Sequence, residues 1–174
     1  MNANCSGSRA LRSAPGFTLV DVVLVIVLIG IMSAMALPRF LDLWEEAHQS
    51  SVAATAASVR EAVILANTTC VYDEHEGLDN LASFGAGNVD FNANCFPSST
   101  NGRNDLNGNG NRCRQVWIGL LSPAPSISTL AVDDTDYRAQ GGGTTCRYTY
   151  RHDTAILRRI FYNAATGAIS VTNP

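Results

Sequence analysis

The chain has 174 residues, of which 46% are hydrophobic and 16% are charged, a composition typical of a folded protein and not of a disordered one. This length suffices for one domain and hardly for two. All twelve basic residues are arginines and fifteen residues are acidic, so the formal net charge is −3. That charge argues against a general nucleic-acid-binding protein.

The N-terminal region begins with a short basic segment that is followed by a long apolar run. Residues 1–16 contain Arg9 and Arg12 and no acid, whereas Phe17–Leu37 contains a single charged side chain, Asp21. As a helix, this run is roughly 32 Å long, which matches a bilayer core of ~30 Å. The pattern predicts a transmembrane helix with a cytoplasmic N-terminus.

The apolar run also has a simpler interpretation, as a secretory signal that ends at Ala34–Ala36. Signal peptides contain apolar stretches of only ~7–15 residues, and this one is longer. Asp21 would cost ~2.5–3.5 kcal/mol in lipid and therefore needs a partner. A cut between Gly16 and Phe17 would supply an α-amino group, from the same chain or from a neighbouring copy, and we expect no such partner in the uncut chain.

The segment Gly16–Asp21, with the sequence GFTLVD, resembles the cleavage and methylation motif of type IV prepilins. The family pattern has Glu where this chain has Asp21. Residues 36–43, followed by Glu45–Ala47, are similar to pilins of the MSHA (mannose-sensitive haemagglutinin) type. The resemblance extends over roughly residues 13–66 and implies a type IV pilin-like fold.

The resemblance implies that a prepilin peptidase removes the leader, residues 1–16, and methylates the amine of Phe17. It further implies that Phe17–Leu37 forms the filament core, that Asp21 neutralises the Phe17 amine, and that Gly30 and Pro38 bound a segment able to melt on assembly. We expect the partners to be other pilin subunits, the peptidase and an inner-membrane assembly platform. The precursor would lie in the inner membrane, and the product would be an extracellular filament with an adhesive role.

Residues 38–66 are predicted to continue the helix. The apolar residues Val52, Ala56, Val59 and Val63 recur with helical spacing and would face a packed domain. Residues 47–58 are rich in Ala, Ser and Thr. Small residues allow close approach of neighbouring helices, but they also simply favour helix formation, and both interpretations stay open.

Residues 67–174 are predicted to form a globular β domain. Val116–Leu120 is typical of a buried strand, and Cys146–Arg151 alternates as a half-exposed strand. A hairpin turn is expected at Asn163–Gly167. The resulting fold class is α+β, with a long N-terminal helix packed on a small antiparallel sheet.

The cysteines predict two disulfides. Cys5 lies in the leader, and the four remaining cysteines allow three pairings. We favour Cys70 with Cys95 and Cys113 with Cys146, because each pair closes one local loop. No two of these cysteines have the spacing of zinc ligands.

Two polar segments could bind a cation. Asp105–Asn111 begins like a calcium loop, but it holds one carboxylate and is surrounded by arginines, so a plain turn is favoured. Asp73–Glu76 is typical of a solvated loop. No nucleophile has a base at a suitable spacing, and the sequence predicts no enzyme, no metal and no cofactor.

Arg147, Arg151, Arg158 and Arg159, interleaved with tyrosines, form a candidate nucleic-acid contact. Without its leader, the chain would carry ten arginines against fifteen acids, which makes DNA an improbable partner. Three functional classes stay open: a structural pilin, major or minor; a type II secretion pseudopilin; and a ligand- or DNA-binding minor pilin.

Overall fold

A computed structural model describes residues 16–132 and 134–173. Chain contacts divide it into two compact units, residues 1–43 and 44–174. The helices are α1 (Leu19–Tyr72) and α2 (Gly110–Leu120), and the strands are β1 (Asp90–Phe91), β2 (Pro97–Ser99), β3 (Ile127–Ser128), β4 (Tyr137–Gly142), β5 (Thr145–Tyr150), β6 (Arg159–Asn163) and β7 (Ala168–Thr172). The predicted α+β class is confirmed.

In the second unit, one stripe of α1 enters the core. Val52, Ala56, Val59 and Val63 are each at most 3% exposed, as their spacing predicts. The stripe continues through Ala66 and Cys70, which are also buried. Accordingly, α1 ends at Tyr72, and the predicted boundary between residues 66 and 67 is wrong as a helix end, because these further buried residues extend the amphipathic pattern.

The main sheet has the strand order β3-β4-β5-β6-β7. Strands β4 to β7 are antiparallel neighbours, whereas β3 runs parallel to β4, so the sheet is mixed and not purely antiparallel as predicted. A separate two-stranded sheet pairs β1 with β2. The half-exposed strand predicted at 146–151 is confirmed, since β5 alternates between buried and partly exposed side chains up to Tyr150.

The strand predicted at Val116–Leu120 is wrong, because these residues form the second half of α2. The helix buries Cys113, Val116, Trp117 and Leu120, a spacing of three and four residues that belongs to a helix and not to a strand. Asn109 caps its start by accepting a hydrogen bond from the backbone N–H of Asn111 over 2.8 Å. A short apolar run does not by itself distinguish the two structures.

Aromatic side chains fill the space between α2 and the sheet. The ring of Trp117 lies 4.8 Å from that of Tyr137 and 4.6 Å from that of Tyr148, measured between centroids. The indole N–H of Trp117 donates to the carbonyl of Pro125 over 3.0 Å, and the hydroxyl of Tyr148 donates to the carbonyl of Cys113 over 2.9 Å. These bonds satisfy polar atoms that would otherwise be costly to bury.

The predicted hairpin is confirmed, and it joins β6 to β7. Asn163 pairs with Ala168 at the ends of the two strands. Gly167 has a φ of +70°, a conformation that costs glycine nothing and other residues a strain energy. The turn places β7 beside β6, where it forms one edge of the sheet.

Candidate assembly site

The first turn of α1 contains a reciprocal cap formed by Thr18 and Asp21. The carboxylate oxygen Oδ2 of Asp21 accepts hydrogen bonds from the backbone N–H of Thr18 over 3.0 Å and from its hydroxyl over 2.7 Å. In return, the backbone N–H of Asp21 donates to the Thr18 hydroxyl over 3.3 Å. This arrangement is a capping box, in which two helix-terminal donors are satisfied by side chains.

Asp21 therefore has a hydrogen-bonding partner in the first turn, whereas pairing of its charge with an α-amino group at Phe17 stays a prediction. A hydroxyl residue three positions before an acid is the sequence signal of a capping box, and the sequence reasoning missed it at Thr18. The two bonds satisfy one carboxylate oxygen but do not neutralise its charge. Asp21 is exposed and therefore remains accessible to a cation from outside the chain.

The rest of the first unit presents apolar side chains to its surroundings. Phe17 is 87% exposed, and every large apolar side chain from Leu19 to Met35 is at least 45% exposed. Such an extended apolar surface is typical of a segment that packs against other molecules. Among the described residues, no helix meets the length and apolarity needed to cross a membrane.

The other predicted assembly residues are placed as follows. Gly16 precedes α1, and a Cβ at Gly16 or Gly30 would meet nothing within 4 Å apart from the adjacent residues and the backbone of its own helix. The helix passes through Gly30 and Pro38 without a break, and melting of this segment in a filament stays a prediction. Residues 1–15, the greater part of the predicted leader, lie outside the described residues.

Two disulfides join Cys70 to Cys95 and Cys113 to Cys146, the pairs favoured from the sequence. All four cysteines are buried. The first bond attaches the end of α1 to the segment between β1 and β2, and the second attaches α2 to β5. Both bonds therefore anchor helices to the β structure of the second unit.

The four candidate nucleic-acid contacts do not form one stripe. Arg147 and Arg159 lie on the partly exposed face of the sheet. Arg158 is only 2% exposed and pairs with Asp153. Arg151 follows β5, and its guanidinium donates to the carbonyls of Leu130 and Ala131 over 2.8 Å each, so it braces a loop.

The segment with the calcium-like beginning leads into α2. The carboxylate of Asp105 pairs with the guanidinium of Arg112, and Asn109 serves as the helix cap. An open cavity of about 500 Å³ lies beside this segment, between residues 92–94, 104–107, 143–144 and 164–165. Within residues 16–132 and 134–173, no group of three or more His, Cys, Asp or Glu side chains is arranged to hold a metal ion.

Asp90 is a buried carboxylate that sequence reasoning did not single out. It is fully buried and accepts hydrogen bonds from the Ser99 hydroxyl over 2.5 Å, from the backbone N–H groups of Asn80 and Gly102 over 3.0 and 2.8 Å, and from that of Arg103 over 3.2 Å. These bonds hold together the loops around β1 and β2. No spacing signal could have indicated it, because its donors are mostly backbone groups.

Comparison with known proteins identifies one relevant similarity. A stretch of 53 residues, 30% of the chain, is 55% identical to the type IV narrow pilus major component PilA5 of Thermus thermophilus. The match covers 46% of that relative, so the chain spans less than half of its length. No protein-family model matches the chain, and no solved structure matches it.

Proposed function

We propose that this chain is a structural subunit of a type IV pilus that polymerises through its N-terminal helix. The observation that carries the proposal is the segment Phe17–Met35, whose large apolar side chains are exposed along its whole length next to an accessible carboxylate at Asp21. An apolar helix of this kind is stabilised when it packs among equivalent helices. The similarity to a pilus major component supports the same role.

The chemistry at the helix start provides a reason for ordered assembly. Cleavage after Gly16 would place a positively charged amine at Phe17, one helical turn from Asp21. In the apolar core of a filament, an unpaired carboxylate is costly, and only one axial position of a neighbouring helix places its amine beside it. Pairing of the two charges therefore fixes the register between subunits.

Processing, methylation and residence of the precursor in the inner membrane belong to this proposal, as does the adhesive role of the filament. The MSHA subtype is not supported by the similarity found, and the finer assignment stays a prediction. A type II secretion pseudopilin and a ligand- or DNA-binding minor pilin are the alternatives. The similar Thermus protein is named as a pilus component, which favours a pilus subunit over a secretion pseudopilin.

Intact-mass analysis and N-terminal sequencing of sheared surface filaments test the proposal. We expect a chain that begins at an N-methylated Phe17 and lacks residues 1–16. A mature chain that begins at Leu37 and is released as a monomer would identify an ordinary secreted protein. Electron microscopy of cells with and without the gene separates a long surface filament from a short periplasmic one.

A further inference from the structure

One face of the main sheet carries a cluster of arginines. Arg138, Thr149 and Arg159 are direct neighbours on β4, β5 and β6, and Arg147 pairs with Phe161 in the adjacent row. All five are partly exposed. Neighbouring strands lie ~4.8 Å apart, so Arg138 and Arg159 are separated by about 10 Å. We call these five residues the arginine face.

Within the residues that the structure describes, the arginine face has no anionic partner. Every side chain on this side of β4 to β7 is neutral or basic. Among the described residues, Arg138, Arg147 and Arg159 form no ion pair with a carboxylate. Arg147 donates only to the amide oxygen of Gln140, over 3.1 and 2.8 Å.

A second surface of the same unit has the complementary chemistry. The segment Tyr72–Asp79 begins at the last residue of α1 and holds four exposed carboxylates, those of Asp73, Glu74, Glu76 and Asp79. In the described part of the chain none of them forms an ion pair. Tyr72 is 85% exposed and Leu78 is 51% exposed. We call this segment the acidic loop.

We propose that the arginine face of one subunit binds the acidic loop of the next copy of this chain, an inference that rests on the proposed function as a filament subunit. Arginine forms two-pronged bonds with carboxylates and also packs well on aromatic rings. The acidic loop offers both carboxylates and the ring of Tyr72. Opposite charges at these positions would steer the subunits and suppress wrong pairings.

A contact between two different surfaces can link subunits into a polymer. The two surfaces are different, so each subunit has one of each and can bind one neighbour on either side. An interface of this head-to-tail kind generates an open helical filament unless it closes into a ring. Two arginine faces would repel each other, which disfavours a closed symmetric pair.

Charge reversal in the full chain tests the proposal. We expect Arg147→Glu with Arg159→Glu to lower the yield of sheared filaments at least ~tenfold, because like charges then oppose each other. Glu74→Arg with Glu76→Arg should give the same loss, and combining all four changes should restore filaments. Arg114→Glu is the matched control, since this exposed arginine lies on α2, outside both surfaces, and its reversal should leave the yield unchanged.

Cysteine cross-linking provides a direct readout of proximity. Thr149→Cys with Glu76→Cys should give a ladder of disulfide-linked oligomers in wild-type-like filaments. The control pair Thr149→Cys with Asn111→Cys, which places the second thiol at an exposed position of α2, should not.

Each outcome is decisive. Filaments that tolerate both reversals and yield no ladder would overturn this contact and leave the pilin function standing. Binding of single-stranded DNA provides a further test. If Arg147→Glu with Arg159→Glu abolishes this binding but leaves the filament yield unchanged, the contact between subunits is overturned and the arginine face is assigned to a nucleic acid. A wild-type chain that forms no filaments would refute the proposed function together with this inference.

Discussion

The guanidinium of Arg158 lies against the carboxylate of Asp153, with Nε and Oδ2 2.8 Å apart. Their side chains are only 2% and 8% exposed. The same guanidinium donates to the carbonyl of Asn173 over 3.0 Å and lies 3.8 Å from the carboxylate of Glu45. One arginine therefore connects α1, the loop between β5 and β6, and the C-terminal segment.

Replacement of Asp153 by alanine is expected to destabilise the protein by about 3 kcal/mol, because it leaves a buried cation without its closest partner. The control is Asp105→Ala, which removes the partner of Arg112 at a site where the carboxylate is 63% exposed. Exposed pairs contribute less than about 1 kcal/mol. Urea unfolding of both variants measures the two losses of stability. Equal losses would contradict the burial of the pair between Arg158 and Asp153.

Asp153 also makes the stability of the protein depend on pH at the acid end. The backbone hydrogen bond from Ile156 and, to a smaller extent, the bond from Arg158 hold the pKa of Asp153 below its ordinary value. A carboxyl with a lowered folded pKa stabilises the protein above its unfolded pKa of ~3.9, and this contribution is lost as the pH falls through the folded pKa. The stability difference between wild type and Asp153→Asn should therefore shrink below about pH 4.

Gly141 and Gly142, adjacent in β4, provide a matched pair for the packing of the sheet. A Cβ at Gly141 would lie 2.5 Å from the carbonyl carbon and oxygen of Gly108, whereas a Cβ at Gly142 would meet nothing within 4 Å. We expect Gly141→Ala to cost about 1–3 kcal/mol through overpacking, and Gly142→Ala to be nearly neutral. Thermal unfolding of the two variants measures this, and similar melting temperatures would argue against the close approach of the two segments.

How far the sequence predicted the fold depended on periodicity. The stripe from Val52 to Val63 was predictable because burial on one side of a helix imposes its period on the sequence. The alternation of β5 was predictable for the same reason. In contrast, the run from Val116 to Leu120 was too short to separate strand from helix, and its capping residue, Asn109, was interpreted as part of a turn.

The site was only partly predictable for a different reason. The capping box at Thr18 and Asp21 was present in the sequence and was missed. The burial of Arg158 and the outward position of Arg138 were not predictable, because they depend on which strands become neighbours. Strand order depends on contacts between residues that are distant in sequence, so it cannot be predicted from the positions of the arginines along the chain.

The buried tyrosines predict a loss of stability at high pH. Burial raises the pKa of Tyr137 to about 12, and it raises those of Tyr148 and Tyr162 as well. A group with a raised folded pKa contributes its full stability below the unfolded value of ~10, and this stability is lost as the pH rises towards the folded pKa. Each such tyrosine should lower the free energy of unfolding by about 1 kcal/mol as the pH rises from 9 to 11.

Tyr137→Phe is expected to reduce that alkaline loss, because phenylalanine does not ionise in the unfolded state. Tyr72→Phe is the control for the substitution itself, since Tyr72 is 85% exposed. The free energy of unfolding at pH 9 and at pH 11 is the quantity to compare. An unchanged alkaline loss in Tyr137→Phe would show that its hydroxyl is hydrated in the folded protein.

Substitutions at Asp21 separate the cap of α1 from its charge. Asparagine retains an oxygen that can accept the hydrogen bonds of Thr18, but it cannot neutralise an amine at Phe17. We therefore expect Asp21→Asn and Asp21→Ala to be cleaved after Gly16 yet excluded from filaments, and Asp21→Glu to be incorporated. Immunoblots of cell and sheared fractions measure both steps. Normal incorporation of Asp21→Asn would mean that the carboxylate acts as a helix cap and that charge pairing does not set the register of the subunits.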